Sequence, residues 1–176
     1  MKLNLTKRLV QDLFGTESAL GIVYVHKDGR RLTPDQVTEY YTQRGRPMDD
    51  LESEFPDGTD AVRCTHYAMR IYRSFPRNTQ IFGFTNAANP HCEFARQELH
   101  PGGHDFAVVD DRWLIDPWVR HVTCAYDEIV YDMDDLADKA LVIQRYGNKE
   151  NWRHMTGAEE HVASLMQGAM KYTETV

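Results

Sequence analysis

The sequence predicts an α+β domain, a mainly antiparallel sheet with helices packed on it. Three observations carry that expectation. Residues 104–116 read as a β-hairpin apolar on both faces, and such a hairpin belongs inside a sheet rather than at its edge. Segments 21–26 and 80–85 are rich in β-branched and aromatic residues and read as further strands. Around them lie stretches of helical periodicity with capping residues at their starts. No repeat, low-complexity tract or linker divides the 176 residues, so the chain reads as a single domain, 1–176.

Taken in order, Leu3, Leu9, Val10, Leu13 and Phe14 outline a short amphipathic helix, with Thr6 as its cap and Gly15 as its stop. The strand at 21–26 ends in a turn at 27–30. Thr33, Pro34 and Gln36 then open a second helix: the threonine oxygen accepts from an orphan amide, and proline suits the first turn. That helix should end near Arg44 and Gly45. Residues 46–58 are acidic, hold two prolines and show no clear period, so they read as a loop. A helix is expected from about 60 to 75, with Val62, Tyr67, Ala68, Ile71 and Tyr72 on one face and Pro76 closing it. After the strand at 80–85, residues 86–103 form a long connection with a helical turn near 93–97. The hairpin follows, then a strand at 140–144. Thr156 and Glu159, at capping-box spacing, start a last helix carrying Val162, Leu165, Met166 and Met170.

Apolar residues make up 41% of the chain and charged ones 27%, ordinary values for a globular domain. The net charge of −7 argues against nucleic acid or an anionic membrane as partner, and suits a basic protein partner instead. No apolar run has transmembrane length, and the polar first residues are no secretory signal. Three cysteines without a framework spacing imply reduced thiols. The expected location is the cytoplasm, or outside it by a route without a cleavable signal.

The chemistry centres on Cys64, His104 and Asp116. Cys64 falls where a helix begins, and His104 follows forty residues later at the start of the hairpin that Asp116 ends. A thiol becomes a strong nucleophile on losing its proton. An imidazole can take that proton, and the positive end of a helix favours the thiolate. A carboxylate on the next strand can hold the imidazole in one tautomer. Register decides whether the hairpin permits this. A two-residue turn at Asp110 and Asp111 sets Asp105 opposite Asp116 and turns His104 to the other face. A three-residue loop including Arg112 pairs Val109 with Trp113 and puts His104 diagonal to Asp116 on one face. The triad therefore predicts an odd loop or a bulge.

Cys64, then Gly102-Gly103-His104-Asp105-Phe106-Ala107-Val108-Val109, then Trp113-Leu114-Ile115-Asp116-Pro117, resembles the papain-fold and transglutaminase-like superfamily of cysteine hydrolases and acyltransferases. The spacing and compact size are similar to bacterial papain-like toxin and effector domains, including glutamine deamidases. The resemblance covers about 64–118, a third of the chain. It implies a papain-like layout, a Cys64–His104–Asp116 triad, a thioester intermediate, no cofactor, and a protein or peptide amide as substrate. Papain-like proteases carry an oxyanion-binding glutamine a few residues before the nucleophile, whereas residues 56–63 contain neither Gln nor Asn. The backbone amide of Cys64 can supply one donor; Thr59, Asn86 and Asn89 are candidates for the second.

Other readings use the same residues. Cys64 can be a small core residue, and His66, two positions on, should face away from it. His91, Cys92, His100 and His104 are dense enough in soft and imidazole ligands to hold zinc, although no closed spacing pattern is present. Six acidic residues between 127 and 138 lack calcium-loop spacing and read as a solvated face. Trp113, Trp118 and Trp152 read as core or cleft rim. A non-catalytic binding, immunity or adaptor domain on the same scaffold is the alternative function.

Overall fold

The computed structural model describes residues 2–44, 51–155 and 157. Along the chain these form α1 (Lys7–Phe14), α2 (Glu17–Leu20), β1 (Val23–His26), β2 (Arg31–Leu32), α3 (Pro34–Arg44), β3 (Leu51–Glu54), α4 (Cys64–Ser74), β4 (Thr79–Thr85), α5 (Glu93–Arg96), β5 (Gly103–Val109), β6 (Trp113–Ile115), α6 (Trp118–His121), β7 (Val130–Asp132), α7 (Leu136–Tyr146) and β8 (Arg153–His154). The expected α+β class holds, with helices packed on antiparallel sheets. A small sheet runs β2-β1-β3, and a larger one runs β7-β6-β5-β4-β8. All pairings are antiparallel. The hairpin strand β5 lies at the centre of the larger sheet, as its two apolar faces require. Helix α4 packs across β5 and β4, and α7 packs on β7 and α5.

Local signals account for most elements. Thr6 caps α1 by accepting from the Leu9 amide at 3.2 Å. Only Val10 and Phe14 of that helix are buried, while Leu9 and Leu13 stay exposed. Thr33 and Gln36 form a reciprocal capping box, Thr33 N–H donating to Gln36 Oε1 at 2.8 Å and Gln36 N–H to Thr33 Oγ1 at 3.3 Å. The β5–β6 loop contains three residues. Val109 faces Trp113, and Arg112 N–H donates to the Val109 carbonyl at 3.1 Å. Asp110 and Asp111 take φ of 55° and 57°, a left-handed conformation that short polar side chains tolerate. Trp113, Trp118 and Trp152 are all buried.

Four expectations need correction. Within 46–58, expected as a loop, Leu51–Glu54 is a strand paired with β1. Its backbone bonds decide this, since one face of so short an edge strand needs no apolar side chains. The helix expected from 60 starts at Cys64. Residues 60 and 61 are instead held against β3, by a bridge to Glu54 and by Ala61 N–H donating to the Ser53 carbonyl at 2.7 Å. Val62 is consequently outside the helix and exposed. Residues 140–144, expected as a strand, are the middle of α7. Asp135 Oδ1 accepts from the amides of Ala137 and Asp138 at 2.9 and 3.0 Å, and burial recurs every four residues at Asp138, Val142 and Tyr146. The acidic stretch is not wholly solvated: buried Asp138 accepts from Lys7 Nζ at 2.7 Å and from the Asp132 amide at 2.7 Å. The helix expected to start at Thr156 lies outside the described residues. Among the described residues no helix is long and apolar enough to cross a membrane.

Candidate functional site

Cys64 is the first residue of α4 and is buried in its N-terminal turn. Arg63 precedes it in extended conformation and offers no side-chain cap, so the positive end of this eleven-residue helix is left to the thiol's surroundings. The chain enters the helix through a local anchor. His66 Nδ1–H donates to the Asp60 carbonyl at 2.8 Å and to its carboxylate at 2.9 Å. Burial raises the Asp60 carboxyl, but the His66 hydrogen bond and charge outweigh it and hold that carboxyl below its usual range. His66 is thus committed to Asp60.

His104 and Asp116 meet as the three-residue loop predicts. His104 Nε2 lies 2.5 Å from Asp116 Oδ2, with both side chains fully buried. The carboxylate is an acceptor, so the ring donates from Nε2, and Nδ1 is the remaining nitrogen. The imidazole stacks on Phe94 at 4.4 Å between ring centroids and packs against Trp118 at 5.0 Å. Gly103 makes the approach possible. Its φ is 136°, and a Cβ there would collide with the backbone of Phe84 and Thr85 on β4.

The electrostatics follow from this packing. Burial alone would push the His104 imidazole down. The charge of Asp116 and its hydrogen bond, then a smaller contribution of the same kind from Cys64, outweigh burial and raise it to about 10. Nδ1 itself is buried without a formed hydrogen bond. Cys64, His104, Arg63, Thr65, His100, Asp105 and Arg153 line one open cleft of about 370 Å³.

Several contributors carry no sequence signal of their own. Tyr146, on the helix expected as a strand, donates its hydroxyl to Asp116 Oδ2 at 3.0 Å. Burial first, then Asp116, raises the Tyr146 phenol well above its ordinary value and keeps it a donor. Trp118 Nε1–H donates to the Val62 carbonyl at 2.6 Å, tying the chain just after Asp116 to the chain just before Cys64. Thr65 Oγ1–H donates to Asp105 Oδ2 at 2.7 Å. A search for tyrosine at helical spacing after the hairpin could have found Tyr146, had 136–146 been read as a helix.

Of the oxyanion candidates, Cys64 is the one that lines the cleft. Thr59 donates its hydroxyl to Asp57 at 2.6 Å in a tight turn. Asn89 accepts from Asn151 at 3.0 Å and lines a different cleft. Asn86 donates to the His100 carbonyl at 2.9 Å and so braces the cleft rim without reaching into it. His91, Cys92, His100 and His104 do not converge, and among the described residues no group of three or more His, Cys, Asp or Glu is arranged to hold a metal ion. Cys92 is a buried residue whose thiol is pushed up, chiefly by burial. Comparison with protein-family models, curated proteins and solved structures gives no match for this chain.

Proposed function

We propose that the protein is a cysteine-dependent amide hydrolase working through Cys64, His104 and Asp116, on a papain-like layout. The observation that carries this reading is the fully buried His104–Asp116 pair, whose histidine lines the same cleft as Cys64 at an uncapped helix start. An imidazole raised to about 10 is protonated at neutral pH. The proposed reactive form of the site is a thiolate beside an imidazolium, the thiol proton having passed to His104 Nδ1. The thiolate attacks the carbonyl carbon of an amide, and the oxyanion that forms is met by the Cys64 N–H at the positive end of α4. His104 then gives its proton to the departing amine or ammonia, leaving a thioester. It next takes a proton from water as that water attacks the thioester, which releases the acid and restores the thiolate and the imidazolium. Asp116 keeps the ring in one tautomer throughout and stabilises its cation.

The substrate class is a protein or peptide amide. A cleft of about 370 Å³ accommodates one side chain or a short extended segment, which fits removal of ammonia from a glutamine side chain or cleavage of a peptide bond. Transfer of the acyl group to an amine uses the same residues. No step calls for a cofactor.

Three cysteines in different settings make the test internally controlled. Cys64 and Cys92 are buried and Cys124 is exposed. Iodoacetamide is applied to the native protein from mildly acidic to mildly basic pH, and sites are read by mass spectrometry. The expected result is that Cys64 labels faster than the exposed Cys124 at a pH well below the ordinary thiol value of about 8.5, and that His104→Ala abolishes this lead. If Cys64 stays inert until the protein unfolds, catalysis by this thiol is refuted and a binding role on the same scaffold takes its place.

A further inference from the structure

We infer that the Thr65–Asp105 hydrogen bond is a positioning device that sets the distance between the nucleophile and its base. The inference rests on the proposed role of Cys64 and His104. Thr65 follows Cys64 directly on α4, and Asp105 follows His104 directly on β5. Their side chains meet at 2.7 Å, Thr65 Oγ1–H donating to Asp105 Oδ2. The bond therefore joins the two elements one residue beyond each reacting group.

Its surroundings are built to keep it. Thr65 is buried and Asp105 half-buried, both at the wall of the cleft that holds Cys64 and His104. Gly83 on β4 stands opposite Asp105 in the sheet register. A Cβ at Gly83 would collide with Asp105 Oδ1 and crowd the His104 carbonyl, so the strand is bare where the carboxylate lies. A threonine within a helix commonly satisfies its hydroxyl on the preceding turn; this one, in the first turn, reaches across to the sheet. Among the described residues Asp105 makes no ion pair. Because His104 Nδ1 has no formed hydrogen bond, no direct bond to Cys64 fixes the separation of the two groups. The flanking bond does it for them.

The effect should appear in the thiol's reactivity rather than in folding alone. Thr65→Val keeps the β-branched shape and removes the donor, while Thr65→Ser keeps the donor. Alkylation of Cys64 by iodoacetamide is measured against pH, with Cys124 in the same molecule as reference. Thr65→Val should slow Cys64 at mildly acidic pH by about tenfold and move its pH–rate inflection upward. Thr65→Ser should stay within about twofold of the parent. Asp105→Ala should match Thr65→Val and tests the same bond should the valine variant not fold. Asp105→Asn, which retains an acceptor oxygen without the charge, should lie nearer the parent. The inference is overturned if Thr65→Val labels like the parent, if Thr65→Ser is as slow as Thr65→Val, or if Asp105→Asn alone accelerates labelling, which would make the carboxylate's charge the controlling feature. If the parent's Cys64 has no lead over Cys124, the reading of the site fails, and this inference falls with it.

Discussion

Asp116→Asn isolates the charge at the heart of the site. Asparagine has nearly the shape of aspartate and keeps one acceptor oxygen where His104 and Tyr146 both donate, at 2.5 and 3.0 Å. Hydrogen bonds to a charged acceptor contribute roughly 1.5–3 kcal/mol, and neutral ones about 0.5–1.5. Converting both bonds from one class to the other should cost about 2–3 kcal/mol of stability at neutral pH. The imidazole should respond more sharply. Asp116 supplies the leading causes that raise His104 from 6.5 to about 10 against burial; with the charge gone, burial prevails and His104 should titrate below its ordinary value. A raised histidine stabilises the fold fully below its unfolded value of 6.5 and loses that contribution as pH climbs through about 10. The parent protein should therefore lose stability across that window, at no more than about 1.4 kcal/mol per pH unit, and the variant should lack this slope. The measurements are urea unfolding at several pH values and a histidine-selective NMR titration. Subtracting the variant's curve removes tyrosines and lysines that titrate in the same range. A variant whose His104 still titrates above its ordinary value, or a stability difference constant across the window, would falsify the assignment of the imidazole's charge to Asp116.

The remaining predictions concern the residues that support this pair. Tyr146→Phe keeps the ring packed on Phe106, Tyr131 and His104 but removes the second donor to Asp116. It should cost about 1–2 kcal/mol by urea unfolding and lower the His104 titration less than Asp116→Asn does; an unchanged stability would mean the hydroxyl is not bonded to Asp116. Asp135→Ala removes the cap of α7 that two amides share, and should cost about 1 kcal/mol. If residues 140–144 were a strand, that substitution would leave stability unchanged, so thermal unfolding of this one variant decides between the two structures.

The hairpin was legible from its period-two alternation, whereas its register was legible only as a choice between two loops that the proposed triad decides. Counting from Asp110 shows that a two-residue turn separates His104 from Asp116 and a three-residue loop joins them, and the observed pairing of Val109 with Trp113 is the latter. The start of α4 at Cys64 was legible to within four residues. What shifted it from the expected position near 60 is tertiary: Asp60 is used by His66 and by β3, and neither contact leaves a periodic trace. Residues 51–54 were missed for a related reason. An edge strand of a small sheet is specified by the backbone of its neighbour, and its own sequence, Leu51-Glu52-Ser53-Glu54, carries only weak alternation.

The misreading of 140–144 bears directly on the site. Ala140, Leu141, Val142 and Ile143 form an apolar run too short for period alone to decide between strand and helix. The cap at Asp135 and the acidic Asp138 in the first turn settle it only if the window is widened to include them. Once the segment is a helix, residues 138, 142 and 146 face inward together, and Tyr146 comes under the sheet to Asp116. A strand ending at 144 would leave Asp116 Oδ2 with the His104 bond alone, without the second donor that Tyr146 supplies to the same oxygen. A buried triad predicted from sequence therefore carries a further requirement that composition does not state. The carboxylate must find a second donor, and the apolar segments still lacking a firm assignment are where to look for it.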